Sequence, residues 1–137
     1  MFLAGPPLLK AATGEIATDE ELGGAEMHHH VTGIGEYMAE DDADSIRICR
    51  EIVDKLGWNT GQKKVETPSY HEPVYNPDEL LGCVPLHYQT PFDSREVIAR
   101  IVDGSDLLEF KPGYGPHTVT THAAIEGYSV GIISNND

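Results

Sequence analysis

The stretch from residue 58 to residue 91 limits most sharply what this 137-residue chain can fold into. Pro68, Pro73, Pro77, Pro85 and Pro91 are scattered through it, with Tyr70, Tyr75 and Tyr88 close by. A loop that long with no structure of its own is uncommon inside one compact domain, where connections rarely exceed about 12–15 residues. The stretch therefore predicts a linker between two domains, or a segment packed over a partner surface. Length alone points the other way, because a chain of this size suits one domain of roughly 100–150 residues. The order of elements decides between them. Helices, a proline-rich crossing, then a helix and a strand pair ending at Asp137 would leave strand edges unpaired and apolar faces uncovered. The chain is expected to be a piece of something longer.

The elements themselves are read from caps and periodicity. Residues 1–14 predict a strand end, a turn and a short helix, with Pro6-Pro7 in the first turn and Gly14 as the stop. Thr18-Asp19-Glu20-Glu21 offers a cap and acids for a second short helix, closed by Gly23-Gly24. Asp41, Asp42 and Asp44 load the start of a third. Its apolar face is Ile46, Cys49, Ile52, Val53 and Leu56, and Gly57 stops it. Beyond the crossing, Asp93 and Glu96 form a capping-box pattern for a helix that ends at Gly104, with Val97, Ile98, Ile101 and Val102 as its buried face. Two strands, 118–125 and 128–134, follow, joined at Glu126-Gly127. Val130-Gly131-Ile132-Ile133 is almost continuously apolar, which predicts a strand covered on both faces.

Composition excludes several functions. With 23 acidic against 9 basic residues and a net charge of −14, spread over both halves, the chain is no generic nucleic-acid or anionic-membrane binder. No apolar run approaches the roughly 20 residues that span a bilayer, and no signal peptide is visible. Cys49 and Cys83 are too few for a disulfide framework and read as inert free thiols in a reducing compartment.

Five blocks in order carry a resemblance. They are Phe2 to Glu15 (FLAGPPLLKAATGE), Glu21 to His28 (ELGGAEMH), Ala39 to Asp42 (AEDD), Pro91 to Ser105 (PFDSREVIARIVDGS) and Gly127 to Asn136 (GYSVGIISNN). Together they resemble the carboxyltransferase (β) subunit of biotin-dependent acyl-CoA carboxylases, the methylcrotonyl-CoA and geranyl-CoA enzymes above all, with propionyl-CoA and acetyl-CoA carboxylases more distant. The resemblance implies an α/β, crotonase-like fold, present in part and spanning the junction of two such domains. Residues 1–58 would be the end of the first domain, 59–91 the connector and 92–137 the start of the second. It implies carboxyl transfer from carboxybiotin to the α- or vinylogous carbon of an acyl-CoA. Biotin would be carried on a partner, a biotin carboxylase or biotin carrier subunit, and the parent would be a homo-oligomer in bacterial cytoplasm or mitochondrial matrix.

No catalytic residue is assigned, because the family's two glycine-rich oxyanion segments match nothing in this chain. The isolated chain is then expected to be inactive. The alternative is a truncated, non-catalytic product that acts in folding, assembly or acyl-CoA binding. The family also has a Gly-Phe pair and an Arg where this chain reads Thr121-His122-Ala123-Ala124, which bears on the acyl group preferred.

The resemblance implies substrate contacts at Gly5, Pro6, Pro7 and Lys10, where a helix start and a cation could meet CoA phosphates. It implies more at Gly131, Asn135 and Asn136. Three other motifs read as structural. Adjacent histidines such as His28-His29-His30 seldom converge on one ion, so local hydrogen bonding is expected and no metal is assigned. Gly23-Gly24 reads as a turn rather than an oxyanion hole, and Glu40-Asp41-Asp42 with Asp44 as helix-start charge rather than a cation site.

Overall fold

The computed structural model describes residues 1–57, 69–87 and 89–136. Trp58, Pro68, Tyr88, Asp137 and the first part of the expected connector lie outside the described residues.

Helix α1 spans Pro6–Thr13, with Gly5 as N-cap and Gly14 leaving it at φ 79°. The expected strand end before it is a bend instead, since no described strand lies alongside to pair with it. Helix α2, Asp19–Gly23, starts at a capping box. There the Glu21 N–H donates to Thr18 Oγ1 at 3.2 Å and the Thr18 N–H to Glu21 Oε2 at 2.9 Å. A π-helical turn, Met27–Val31, follows, closed by the Thr32 N–H on the Met27 carbonyl.

Helix α3, Asp42–Leu56, starts among the predicted acids, with Asp41 as its N-cap accepting from the Asp44 N–H at 2.8 Å, and has the predicted stop at Gly57. Its apolar face is bare. None of its side chains is buried, and Ile46 is 62% exposed. An open groove of about 480 Å³ runs along Ile46, Cys49 and Val53. The helix is tied to the rest by an ion pair between Lys55 and Asp106.

The described part of the crossing is not free chain. Asn76 caps a 3-10 turn at Pro77–Glu79 that runs into α4, Leu80–Cys83. Val74 and Tyr75 donate their N–H groups to Ser105 Oγ, and the His71 carbonyl accepts from Gly104. Arg100 bridges Glu79 and Glu96 and lies 5.2 Å from the centre of the Tyr75 ring.

Helix α5 is shorter than its periodicity predicts. It spans Ser94–Ile98, and a 3-10 turn at Asp103–Ser105 ends the segment, with Gly104 at φ 58°. Arg100 and Ile101 hydrogen-bond three residues back, a tighter winding than the α-helix. The buried row is consequently Ser94, Ile98 and Val102, while Ile101 is exposed and Val97 half-buried. Asp93 does cap the helix, but through Arg95 N, and Glu96 turns to Arg100 instead of closing a capping box.

Three antiparallel strands follow in the order β1-β2-β3: Leu108–Glu109, Thr118–Ile125 and Tyr128–Asn135. Strand β1 has only two residues and was not predicted. The β2–β3 hairpin turns at Glu126 and Gly127, at φ 50° and 79°, as the primed two-residue turn requires. Val119, Thr121 and Ala123 oppose Ser134, Ile132 and Val130, and this face packs on Ile98 and Val102 to form the core. The other face is bare, with Ile133 79% exposed. So β3 is not covered on both faces. Among the described residues it is an edge strand with one covered side.

Candidate functional site

The first group of expected substrate contacts stays together at the start of α1. The Gly5 carbonyl accepts from Leu8 and Leu9 at 3.0 and 3.1 Å. Pro6 and Pro7 occupy the first helical positions, where no N–H is needed. Lys10 is exposed one turn on. This end is backed by a chain of close contacts. A Cβ on Gly5 would lie 3.3 Å from Phe2 Cε2, and one on Gly23 only 2.6 Å from Phe2 Cδ1. Gly23 is therefore glycine so that the Met1–Phe2 segment can lie on it.

The second group lies on β3. Gly131 and Asn135 project from the bare face, and space beyond the Gly131 Cα is open. A trough of about 210 Å³ crosses that face between Phe110, Thr120, His122, Gly131 and Ile133. Asn136 behaves differently from its neighbour. Its Oδ1 accepts from Ser94 N at 2.9 Å and Ser94 Oγ at 3.3 Å, and its Nδ2 donates to the Pro116 carbonyl at 3.1 Å. Its amide is committed within the fold. Among the described residues no hydrogen bond or ion pair joins the α1 group to the β3 group.

The three histidines each serve a different backbone carbonyl. His28 Nε2 donates to Met1 O at 2.6 Å, with Nδ1 3.1 Å from Thr32 Oγ1. His29, buried, has Nδ1 3.1 Å from Gly35 O. His30 Nδ1 donates to Gly113 O at 3.0 Å, and Nε2 is 3.1 Å from Glu26 Oε2. Hydrogen bonding is their job, as expected, but the bonds of His28 and His30 are far from local. Lys111 completes this junction by donating to Gly33 O at 2.6 Å.

Charge is used to fix elements. The Glu109 carboxylate holds Arg95 protonated far above the ordinary arginine range, with bonds of 2.7 and 2.5 Å. The Glu40 N–H and the Arg47 guanidinium lower the Asp44 carboxyl, so the acidic run at the start of α3 is a cap network. The Thr18 N–H and hydroxyl do the same for Glu21. Sequence reasoning missed Ser94–Asn136, Arg95–Glu109 and the Asp103 carboxylate on the hairpin turn. Only the polar end of an apolar strand, at Asn135-Asn136, offered a signal for one of them.

Among the described residues every buried side-chain polar atom already has a partner. The one adjacent glycine pair with a resemblance to a cradle is filled, Gly23 by Phe2 and Gly24 by Glu20.

Among the described residues, helices pack on one side of an antiparallel hairpin and leave the other side open, an α/β arrangement. The chain belongs to the carboxyl transferase domain family, whose model matches residues 1–137. It is 53% identical over 135 residues to a probable biotin-dependent acyl-coenzyme A carboxylase beta2 subunit of Mycobacterium tuberculosis, covering 98% of this chain and 25% of that protein. It is 48% identical over 136 residues to the mitochondrial methylcrotonoyl-CoA carboxylase beta chain of Dictyostelium discoideum, covering 99% and 23%. Among solved structures, a transcarboxylase 12S hexamer with hydrolysed methylmalonyl-coenzyme A bound superposes with a TM-score of 0.87 at 38% identity, covering 99% of this chain and 27% of that one. The fold is accordingly the crotonase-like carboxyltransferase fold, present in part. The chain spans about a quarter of the length of these relatives.

Proposed function

We propose that this chain is the middle of a carboxyltransferase subunit that moves a carboxyl group from carboxybiotin to the α- or vinylogous carbon of an acyl-CoA. The observation that carries this is the family match over residues 1–137, together with relatives named as acyl-CoA carboxylase β subunits. In this reading residues 1–58 end one crotonase-like domain, 59–91 connect, and 92–137 begin a second. The bare faces of α3 and of the β2–β3 hairpin support it, because both need cover that the described residues do not supply. Partners would be a biotin carboxylase or biotin carrier subunit and further copies of the subunit. Bacterial cytoplasm or mitochondrial matrix would be the site of action. No helix among the described residues is long and apolar enough to cross a membrane.

Bound carboxybiotin would supply the carboxyl group, from outside this chain's own donor set. The chain's own residues bind and orient. The start of α1, Gly5, Pro6, Pro7 and Lys10, presents a helix end and an exposed ammonium suited to CoA phosphates. Gly131 lines the open trough, where a missing side chain allows close approach, and Asn135 is exposed further along the same strand. Asn136 sets the end of β3 through Ser94. Carboxylation by the full-length subunit with its biotin-bearing partner tests the reading. Acyl-CoA-dependent transfer from carboxybiotin is expected, and no transfer to any of several acyl-CoAs overturns it. The 137-residue chain by itself is expected to show none.

A further inference from the structure

The His28-His29-His30 run explains more than its own turn. His28 lies 27 positions along the chain from the group it binds, and its imidazole donates to the Met1 carbonyl at 2.6 Å. The other ring nitrogen is held by Thr32 Oγ1 at 3.1 Å, and the Thr32 hydroxyl lies 3.3 Å from the His28 carbonyl. The ring is thus oriented by its own helix and aimed at the segment before α1. That segment is gripped from the other side as well, since Phe2 lies on Gly23. Phe2 in turn backs Gly5, whose carbonyl accepts the first hydrogen bonds of α1.

We propose that His28 is a positioning residue for the start of α1: it fixes Met1–Phe2, and through Phe2 and Gly5 it sets where Pro6, Pro7 and Lys10 stand. Within the ELGGAEMH block, Gly23 is then the floor and His28 the clamp for the segment that leads into α1. The inference rests on the reading that the α1 start faces acyl-CoA, and two measurements keep the two apart.

The first needs no activity. In the full-length subunit, His28→Ala should speed hydrogen exchange at the amides of Leu8 and Leu9, whose acceptor is Gly5, and leave the β2–β3 hairpin amides unchanged. His28→Gln places an amide N–H near the position of Nε2 and should restore slow exchange. Unchanged exchange at Leu8 and Leu9 in His28→Ala, or failure of His28→Gln to restore it, overturns the clamp. The second is kinetic, on the assembled enzyme. His28→Ala should raise the KM for acyl-CoA about tenfold with a smaller effect on kcat, and His28→Gln should reverse most of it. Faster exchange with an unchanged acyl-CoA KM overturns the positioning role and leaves His28 a fold residue only. Lys10→Ala, measured alongside, reports separately on the parent reading: an unchanged acyl-CoA KM there means that the α1 start does not face substrate.

Discussion

Asp103 and Gly127 are joined by a 2.7 Å hydrogen bond from the Gly127 N–H to Asp103 Oδ2, while Oδ1 takes the Glu126 N–H at 2.9 Å. One carboxylate thus closes both donors of the hairpin turn, from an element 24 residues earlier. Glu126 sits at φ 50°, a conformation that costs a residue with a Cβ roughly 1 kcal/mol, and the bond offsets that cost. Ser94 and Asn136 grip the opposite end of the same hairpin. The helix and 3-10 turn between residues 94 and 105 therefore hold β2 and β3 at both ends, and the four core residues fill the space between.

Removing the clamp at the turn should be felt. Asp103→Ala leaves two backbone donors without their charged acceptor and is expected to lower stability by about 1–3 kcal/mol. Denaturant unfolding gives the size, and hydrogen exchange at Gly127 gives the place. Asp103→Asn keeps one acceptor oxygen and should fall between the two. A wild-type midpoint in Asp103→Ala would show that the turn holds itself.

Gly23→Ala tests the floor under Phe2. The added methyl would stand 2.6 Å from Phe2 Cδ1 and 2.8 Å from the Met1 carbonyl oxygen, so the segment must move. Overpacking of this kind costs about 1–3 kcal/mol. A lower melting temperature and faster exchange at the start of α1 are expected. Gly131→Ala, with open space beyond its Cα, is the control and should unfold like the wild type.

Arg95→Lys is not a conservative change here. The guanidinium makes a two-pronged contact with Glu109 and a further one with Asp93 at 3.1 Å. A lysine can meet Glu109 at one point only. A loss of about 1 kcal/mol is expected, since both partners are only partly exposed. The double variant Arg95→Lys, Glu109→Gln should lose less than the sum of the two single changes.

What could be read along the chain was whatever is decided within a few residues. Thr18 to Glu21 offer a cap and acids for α2, the acids from Asp41 to Asp44 mark the start of α3 and Gly57 its end, and Glu126-Gly127 marks the hairpin. The clamps were invisible for the opposite reason. Ser94–Asn136 spans 42 residues and His30–Gly113 spans 83, and nothing in local pattern selects one distant carbonyl over another. The length of α5 failed on the same ground. Its apolar residues continue to Val102, but Gly104 and the sheet beneath favour a tighter turn over three of them. The apolar face of α3 was read correctly as a face, and none of its side chains is buried among the described residues. Periodicity shows that a side wants cover, and it does not show where the cover comes from. The expected substrate residues fared likewise. Gly5, Pro6, Pro7 and Lys10 could be placed on one helix start from sequence, whereas the difference between Asn135, open, and Asn136, tied to Ser94, needed the register of β3 against β2.

The start of α3 should be an acid-sensitive part of the chain. Asp44 accepts from the Glu40 N–H at 3.1 Å and from Arg47 at 2.8 Å, and these bonds hold its carboxyl below the ordinary aspartate value. A carboxyl lowered by folding adds stability that is present above its unfolded value, about 3.9, and lost as pH falls through its folded value. The network is therefore intact at neutral pH and comes apart in acid, below the ordinary aspartate range. Asp44→Asn removes the titrating group, so the variant should be less stable than the wild type near neutrality and converge on it in acid. Melting temperatures of both proteins between pH 7 and pH 3 check this. Parallel curves across that range would show that Asp44 contributes nothing through its charge.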